Sequence, residues 1–317
     1  MAEQDYRHII YEKKPPIAYI TLNEPEKLNR LSSLPLGPRG ELGGLLGELE
    51  KATTDIKFDD NIRVFVIKAN GRAFSAGYDI AEPQRQYDVS SMEKWPDAEY
   101  WDEGQVGRCN YWKRCIWDNR KPSIAQVHGY CLAGACHMVC HVDCVICSED
   151  ALFGHPAVRF GAVDPQQLWP TLIGMRKAKE LLMTGNFMSS AEALRVGFVN
   201  KVVPRVKLEE EVNKLAMSIA NMPPNTAYYN KLAVNRWYEL QGLQQCITAA
   251  SALDGEEYGS HLPGHLWEFF KHSAELGLKT ALEVRDEKFA ARDIEIAEEN
   301  RKEAAQLRAL YEERLKL

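Results

Sequence analysis

Several things are scarce in this chain. Nowhere among its 317 residues does an apolar run approach the ~18 residues that a membrane-spanning helix needs. The N-terminal MAEQDYRHIIYEKK is polar and charged. It lacks the apolar stretch of a secretory signal, so a cytoplasmic protein is expected. No excess of basic charge is present: the net charge is −6 and the pI about 5.8. A broad nucleic-acid surface, which needs a basic footprint, is therefore not expected. There is no internal repeat and no low-complexity linker. The eight cysteines do not form the framework of a short secreted domain, and they read as reduced thiols. An apolar content of 45% is enough for a sizeable core.

The chain is organised around residues 61–164. Residues 62–68 alternate and are rich in Val and Ile, which predicts a buried strand. That strand empties into GRAFSAGYDI, residues 71–80. Residues 123–127 predict a second strand, which empties into Gly129-Tyr130-Cys131-Leu132-Ala133-Gly134-Ala135 and then a long apolar helix. Small residues at a turn leading into a helix leave backbone N–H groups approachable. Two such turns side by side can aim two donors at one oxygen. A single donor of this kind contributes roughly 3–4 kcal/mol of transition-state stabilisation.

Residues 71–80 (GRAFSAGYDI), 121–136 (KPSIAQVHGYCLAGAC) and 175–204 (MRKAKELLMTGNFMSSAEALRVGFVNKVVP) occur in the order and character of three segments of the crotonase (enoyl-CoA hydratase/isomerase) superfamily, which the chain resembles over roughly residues 6–290. The resemblance implies an α/β fold, the ClpP/crotonase-like spiral of ββα units with a C-terminal helical trimerisation region. It divides the chain into a core (1–205) with an aromatic insert (about 81–117), a helical oligomerisation region (206–292) and a charged helical tail (293–317). A homotrimer or dimer of trimers is implied, with part of the last helix covering the neighbouring subunit's CoA site.

The resemblance also assigns residues. The two oxyanion donors fall on the backbone N–H groups of Tyr78 and Gly134. Ala133 and Ala135 stand where glycines are usual, which alanine tolerates only if φ stays negative. The CoA moiety would be met by Lys27 and Arg30 in the loop before the first helix, by Ala76, Asp79 and Ile80, and by Lys288 in a closing helix at residues 285–292. CoA enters as part of the substrate, so no separate cofactor is expected. A typical hydratase uses two glutamates. One carboxylate activates water and the other supplies a proton. Here their positions hold His137 and Ala157.

Candidates for the missing acid/base groups are His137, His155 and Asp164, with Asp102, Glu103, Glu256 and Glu257 behind them. An imidazole serves as acid or base near neutral pH. The reaction expected is lyase-type addition or elimination through an enolate, on an acyl group made bulky by the insert aromatics Trp95, Trp101, Trp112 and Trp117. Two alternatives stand beside it: hydrolysis of a C–C bond in a β-dicarbonyl by His and Asp, and a non-catalytic acyl-CoA-binding or scaffold member.

Cys136, Cys140 and Cys144 recur every four residues, with His137 and His141 beside them, which is a possible metal spacing. In the core helix of the fold they read instead as small hydrophobes, and no metal is expected. The remaining elements follow from periodicity and turn chemistry: a hairpin from residues 6–12 and 17–23, an amphipathic helix at 42–53, helices at 175–185 and 190–197 with a capping signal at Ser189 or Ser190, and a strand at 198–203. Beyond Lys207 the chain is helical, and its tail reads as a solvated helix carrying i,i+4 charge pairs.

Overall fold

The computed structural model describes residues 6–33, 42–81, 110–164, 168–259 and 265–314. Strand β1 (Ile9–Lys14) pairs antiparallel with β2 (Ile17–Leu22), so the hairpin forms as its alternation predicts. Helix α1 (Gly44–Phe58) leads to β3 (Val64–Ala69), and β4 (Ser123–Val127) follows the insert. Next come β5 (Tyr130–Leu132), α2 (Gly134–His141), β6 (Cys144–Ser148) and β7 (Leu152–Gly154). They are followed by a 3-10 turn (Pro156–Phe160), α3 (Trp169–Ile173), α4 (Met175–Thr184), β8 (Phe187–Ser189), α5 (Ser190–Arg195) and β9 (Lys201–Val203). The rest is helical: α6 (Leu208–Ala220), α7 (Pro224–Leu240), α8 (Leu243–Gly259), α9 (His265–Leu276), α10 (Leu278–Asp286) and α11 (Ala290–Arg314).

Six strands form one sheet in the order β1-β2-β3-β4-β6-β9, parallel apart from the hairpin, and β5-β7-β8 form a second sheet. Val64, Phe65, Val66 and Ile67 are all fully buried, which explains their unbroken apolar run. Parallel strands are covered on both faces, and successive side chains point to opposite ones. Phe65 and Ile67 enter the main core with α1 and α2, whereas Val64 and Val66 lie under Leu208, Val212 and Ala216 of α6. Helix α6 begins beyond residue 205, where the core was expected to end, yet it covers that sheet face.

Two expectations need correction. Helix α2 is short, with eight residues, all buried. The tail is helical but not simply solvated: Asp293 pairs with Arg159, Glu303 accepts from the Ser189 hydroxyl, and Arg308 pairs with Glu149. Ile296 and Asn300 on the same helix are buried. Charge pairs at helical spacing describe only its outer face, where Arg292 meets Glu295. Helices α9 and α10 also pack on their own chain: Phe269, Phe270 and Ala281 form a small core with Phe160, Ile80 and Ala157.

Candidate active site

The two strand-to-helix turns lie against each other, as the sequence predicts. Phe74 N–H donates to His128 C=O, Ser75 N–H to Tyr130 C=O, and Leu132 N–H back to Ser75 C=O. Gly77 has a φ of +93°, and a Cβ built there would meet Leu132 O at 2.7 Å and Gly134 N at 3.0 Å. Only glycine allows both that backbone conformation and that approach. The loop 71–79 is also tied to the N-terminal segment. Leu31 N–H donates to Gly77 C=O at 2.8 Å and Leu31 C=O accepts from Asp79 N–H at 3.3 Å, so these bonds go to the residues flanking Tyr78. Gly134 opens α2, where the first turn of N–H groups has no partner inside the helix.

Ala133 departs from expectation. Its φ is +49° and ψ −119°, not the negative φ that alanine prefers. Backbone in this region costs a non-glycine residue about 1–3 kcal/mol. The strain is held by the bond from Ala133 N–H to Gly154 C=O, 2.8 Å, which anchors the turn to β7. Ala135 lies inside the helix and raises no such issue.

Tyr78 contributes a side chain that the sequence reading ignored. Its ring covers Gly134, where a Cβ would meet ring carbons at 2.7 Å. Its centroid lies 5.9 Å from that of His137, and its hydroxyl accepts from Trp112 Nε1 at 2.8 Å. Trp112 is thus a support of the site. Trp112 and Trp117 are buried in the main core, while Trp95, Trp101, Asp102 and Glu103 lie outside the described residues, as do the side chains of Glu256 and Glu257.

Three candidates come together. His137 Nε2, on α2, lies 3.1 Å from Asp164 Oδ1, at an angle outside the hydrogen-bonding range. His155, between β7 and the 3-10 turn, stacks on His137 with centroids 5.1 Å apart and planes inclined by 27°. Trp169 Nε1 donates to Asp164 Oδ2, which leaves Oδ1 turned to the imidazole. All three groups are buried. Burial lowers the His155 pKa from 6.5 to about 4, against the pull of Asp164, so this ring is neutral at pH 7. Trp169 was missed because indole contacts across a loop leave no local pattern.

His141 plays a different part. Its Nδ1 bonds His137 C=O at 2.7 Å, and burial lowers its pKa to about 4. It therefore does not share a ligand site with His137. The cysteines behave as core residues: Cys136 Sγ donates to Cys131 C=O, and burial pushes the Cys140 and Cys147 thiols up. Among the described residues, the group able to offer three ligand atoms to a metal is His137, His155 and Asp164, whose atoms lie within 4.8 Å of one another.

Ala157, expected from the resemblance to stand at the second hydratase glutamate, sits in the apolar cluster with Ile80, Phe160, Phe269 and Phe270. The expected CoA contacts are partly engaged within the chain. Lys27 Nζ pairs with Glu24 at 3.0 Å, Arg30 Nη1 with the buried Asp79 carboxylate at 2.8 Å, and Ala76 N–H donates to Leu28 C=O. Lys288 Nζ lies 5.4 Å from the centroid of the Phe289 ring. No helix of the described residues is long and apolar enough to cross a membrane.

Comparison with known proteins agrees with this architecture. The family model described as enoyl-CoA hydratase/isomerase matches residues 12–259. The chain is 32% identical over 258 residues to "Probable enoyl-CoA hydratase, mitochondrial" of Dictyostelium discoideum, covering 79% of this chain and 83% of the relative. It is 31% identical to the crotonyl-CoA hydratase of Syntrophomonas wolfei, covering 80% and 89%. A crystal structure of an enoyl-CoA hydratase/isomerase from Xanthobacter autotrophicus Py2 superposes with a TM-score of 0.78 at 31% identity, covering 90% of this chain and 99% of that one. In sequence and in fold, therefore, the chain belongs to the enoyl-CoA hydratase/isomerase family.

Proposed function

We propose that this protein is an acyl-CoA lyase that adds or removes water across the α,β bond, using imidazole where its relatives use carboxylates. The observation that carries the reading is the contact of His137 Nε2 with Asp164 Oδ1, three residues along α2 from the Gly134 turn. The thioester oxygen accepts from the N–H groups of Tyr78 and Gly134, which stabilise the enolate as charge develops on that oxygen. His137 takes a proton from water as the oxygen adds to Cβ, and Asp164 stabilises the imidazolium. The same imidazolium returns the proton to Cα. One group thus serves both steps, and no second acid is required at Ala157. Trp169 fixes the Asp164 carboxylate, and neutral His155 packs against the His137 ring. The wall of Ala157, Ile80 and Phe160 favours an apolar acyl group. Lys27, Arg30 and Lys288 are the cations offered to CoA, Arg30 only by sharing its charge with Asp79. The chain's own groups supply the chemistry, and activity is expected to survive chelators.

The test is calorimetric titration with acetoacetyl-CoA beside acetoacetate, followed by turnover of a panel of α,β-unsaturated acyl-CoAs read by loss of enoyl absorbance. Binding that requires CoA, and a product heavier than the substrate by one water, support the proposal. Absence of CoA-ester binding removes it. Hydrolytic C–C cleavage of a β-dicarbonyl is the second reading, favoured by the presence of both His155 and Asp164 in the cluster. It gives two carbon fragments, or one opened ring bearing a carboxylate, and it requires that His155→Ala abolish activity.

A further inference from the structure

A cavity of about 390 Å³ lies at the opposite end of the sheet from the site. It is bordered by Lys57 at the end of α1, by Arg63 just before β3, and by Arg120 and Lys121 just before β4. The site turns follow the other ends of the same two strands. At roughly 3.3 Å per residue, a strand of six residues keeps the two places about 20 Å apart. Its volume falls within the range of small-molecule sites, about 300–1,000 Å³.

The charge around it is unusual for this chain. Acidic residues outnumber basic ones across the chain, 45 to 39, whereas the lining of this cavity carries four basic side chains and one acidic one. Lys57, Arg63, Arg120 and Lys121 make no ion pair among the described residues, and Asp60 is the one carboxylate in the lining. Burial pushes the Lys121 ammonium down. Arg63 and Arg120 add to this against the opposing pull of Asp60 and Asp59. The facing wall is the start of α7, with Pro224 and Asn225, followed by Tyr228 and Tyr229. At the N-terminus of this 17-residue helix Pro223 and Pro224 carry no N–H and the Ala227 N–H is bonded to Pro223 C=O, so Asn225 and Thr226 are its first donors, with the helix dipole behind them. Arg63 is pinned to that wall by a 3.0 Å bond to Met222 C=O.

We propose that this cavity binds a small molecule carrying a diphosphate group, at a site separate from the one that turns over substrate. Four unpaired cations on three segments match a ligand with several charged oxygens better than a single carboxylate. Tyr228 and Tyr229 add flat faces on which a ring attached to the diphosphate can rest. The ligand chemistry is thus shared by free diphosphate and by a nucleoside diphosphate.

The experiment titrates the full chain with inorganic pyrophosphate, with ADP, and with adenosine as a control, at low and at moderate salt. Saturable, salt-sensitive binding of pyrophosphate and ADP is expected, with none for adenosine. ADP binding more tightly than pyrophosphate identifies a nucleotide as the source, and equal affinities identify free diphosphate. Lys57→Gln with Arg120→Gln is expected to weaken both about tenfold or more, since each removes a charge-assisted bond. Lys121→Gln alone should weaken them in the same direction, and Lys27→Ala with Arg30→Ala should leave them unchanged. Absence of saturable binding overturns the proposal. So does unchanged binding in Lys57→Gln with Arg120→Gln, or its loss in Lys27→Ala with Arg30→Ala.

Discussion

The two halves of the candidate site differ in what they are built from. The paired turns at residues 71–79 and 129–134 are held by main-chain hydrogen bonds and by Gly77, which no other residue can replace. The cluster of His137, His155 and Asp164 depends on side chains brought from three segments into a dry interior. A backbone N–H donates whatever side chain it carries. The first half therefore tolerates Tyr78 and a strained Ala133. The second half tolerates little, because the identity of each group sets the proton chemistry.

The largest expected effect separates the halves directly. His137→Ala and Asp164→Asn should each lower turnover by about 10²- to 10⁴-fold, the range of a general acid/base group. Acetoacetyl-CoA binding measured by calorimetry should be nearly unchanged in both. Tyr78→Phe keeps its N–H and should cost less than about tenfold. A loss as large as that of His137→Ala would show that the phenol takes part, and the distinction between the halves would fail.

Gly77→Ala attacks the first half through its backbone. The positive φ and the contact with Leu132 O and Gly134 N should together destabilise the fold by about 2–5 kcal/mol. Urea unfolding measures this, and a cost below 1 kcal/mol would mean that the turns are looser than drawn.

Acid probes the interior around the second half. An unfolded histidine takes up its proton near pH 6.5, whereas buried His155 and His141 do so only near 4. Stability is therefore complete above about 6.5 and falls as the pH drops towards 4, by about 3 kcal/mol for each ring. Denaturation midpoints against pH should show this loss, and His141→Gln should remove about one proton's share of the slope. A flat profile between pH 6.5 and 4 would show that neither ring is held neutral.

The smallest effect returns to the turns. Ala133→Gly should relieve the strained φ and stabilise the protein by about 1 kcal/mol without loss of turnover. A lower melting temperature would mean that the alanine methyl contributes more by packing than its backbone costs.

Much of the scaffold was legible locally. Alternation in residues 9–22 specified the hairpin, and the Val/Ile run before Gly71 specified β3. The Ser189 cap, whose side chain accepts from Glu192 N–H, follows from the S-x-x-E spacing. The tail was misjudged because its charged period describes one face only. The docked face is set by Arg159, Ser189 and Glu149, which are distant in sequence.

The sequence by itself determined the strands, the glycine turns and the presence of His137 and Ala157 where they stand, because these depend on near neighbours and residue identity. Tertiary structure alone decided that Asp164 meets His137, that Trp169 turns its carboxylate, that Trp112 holds Tyr78, and that His155 is neutral. Each of these depends on which segments meet and on how much water their meeting excludes.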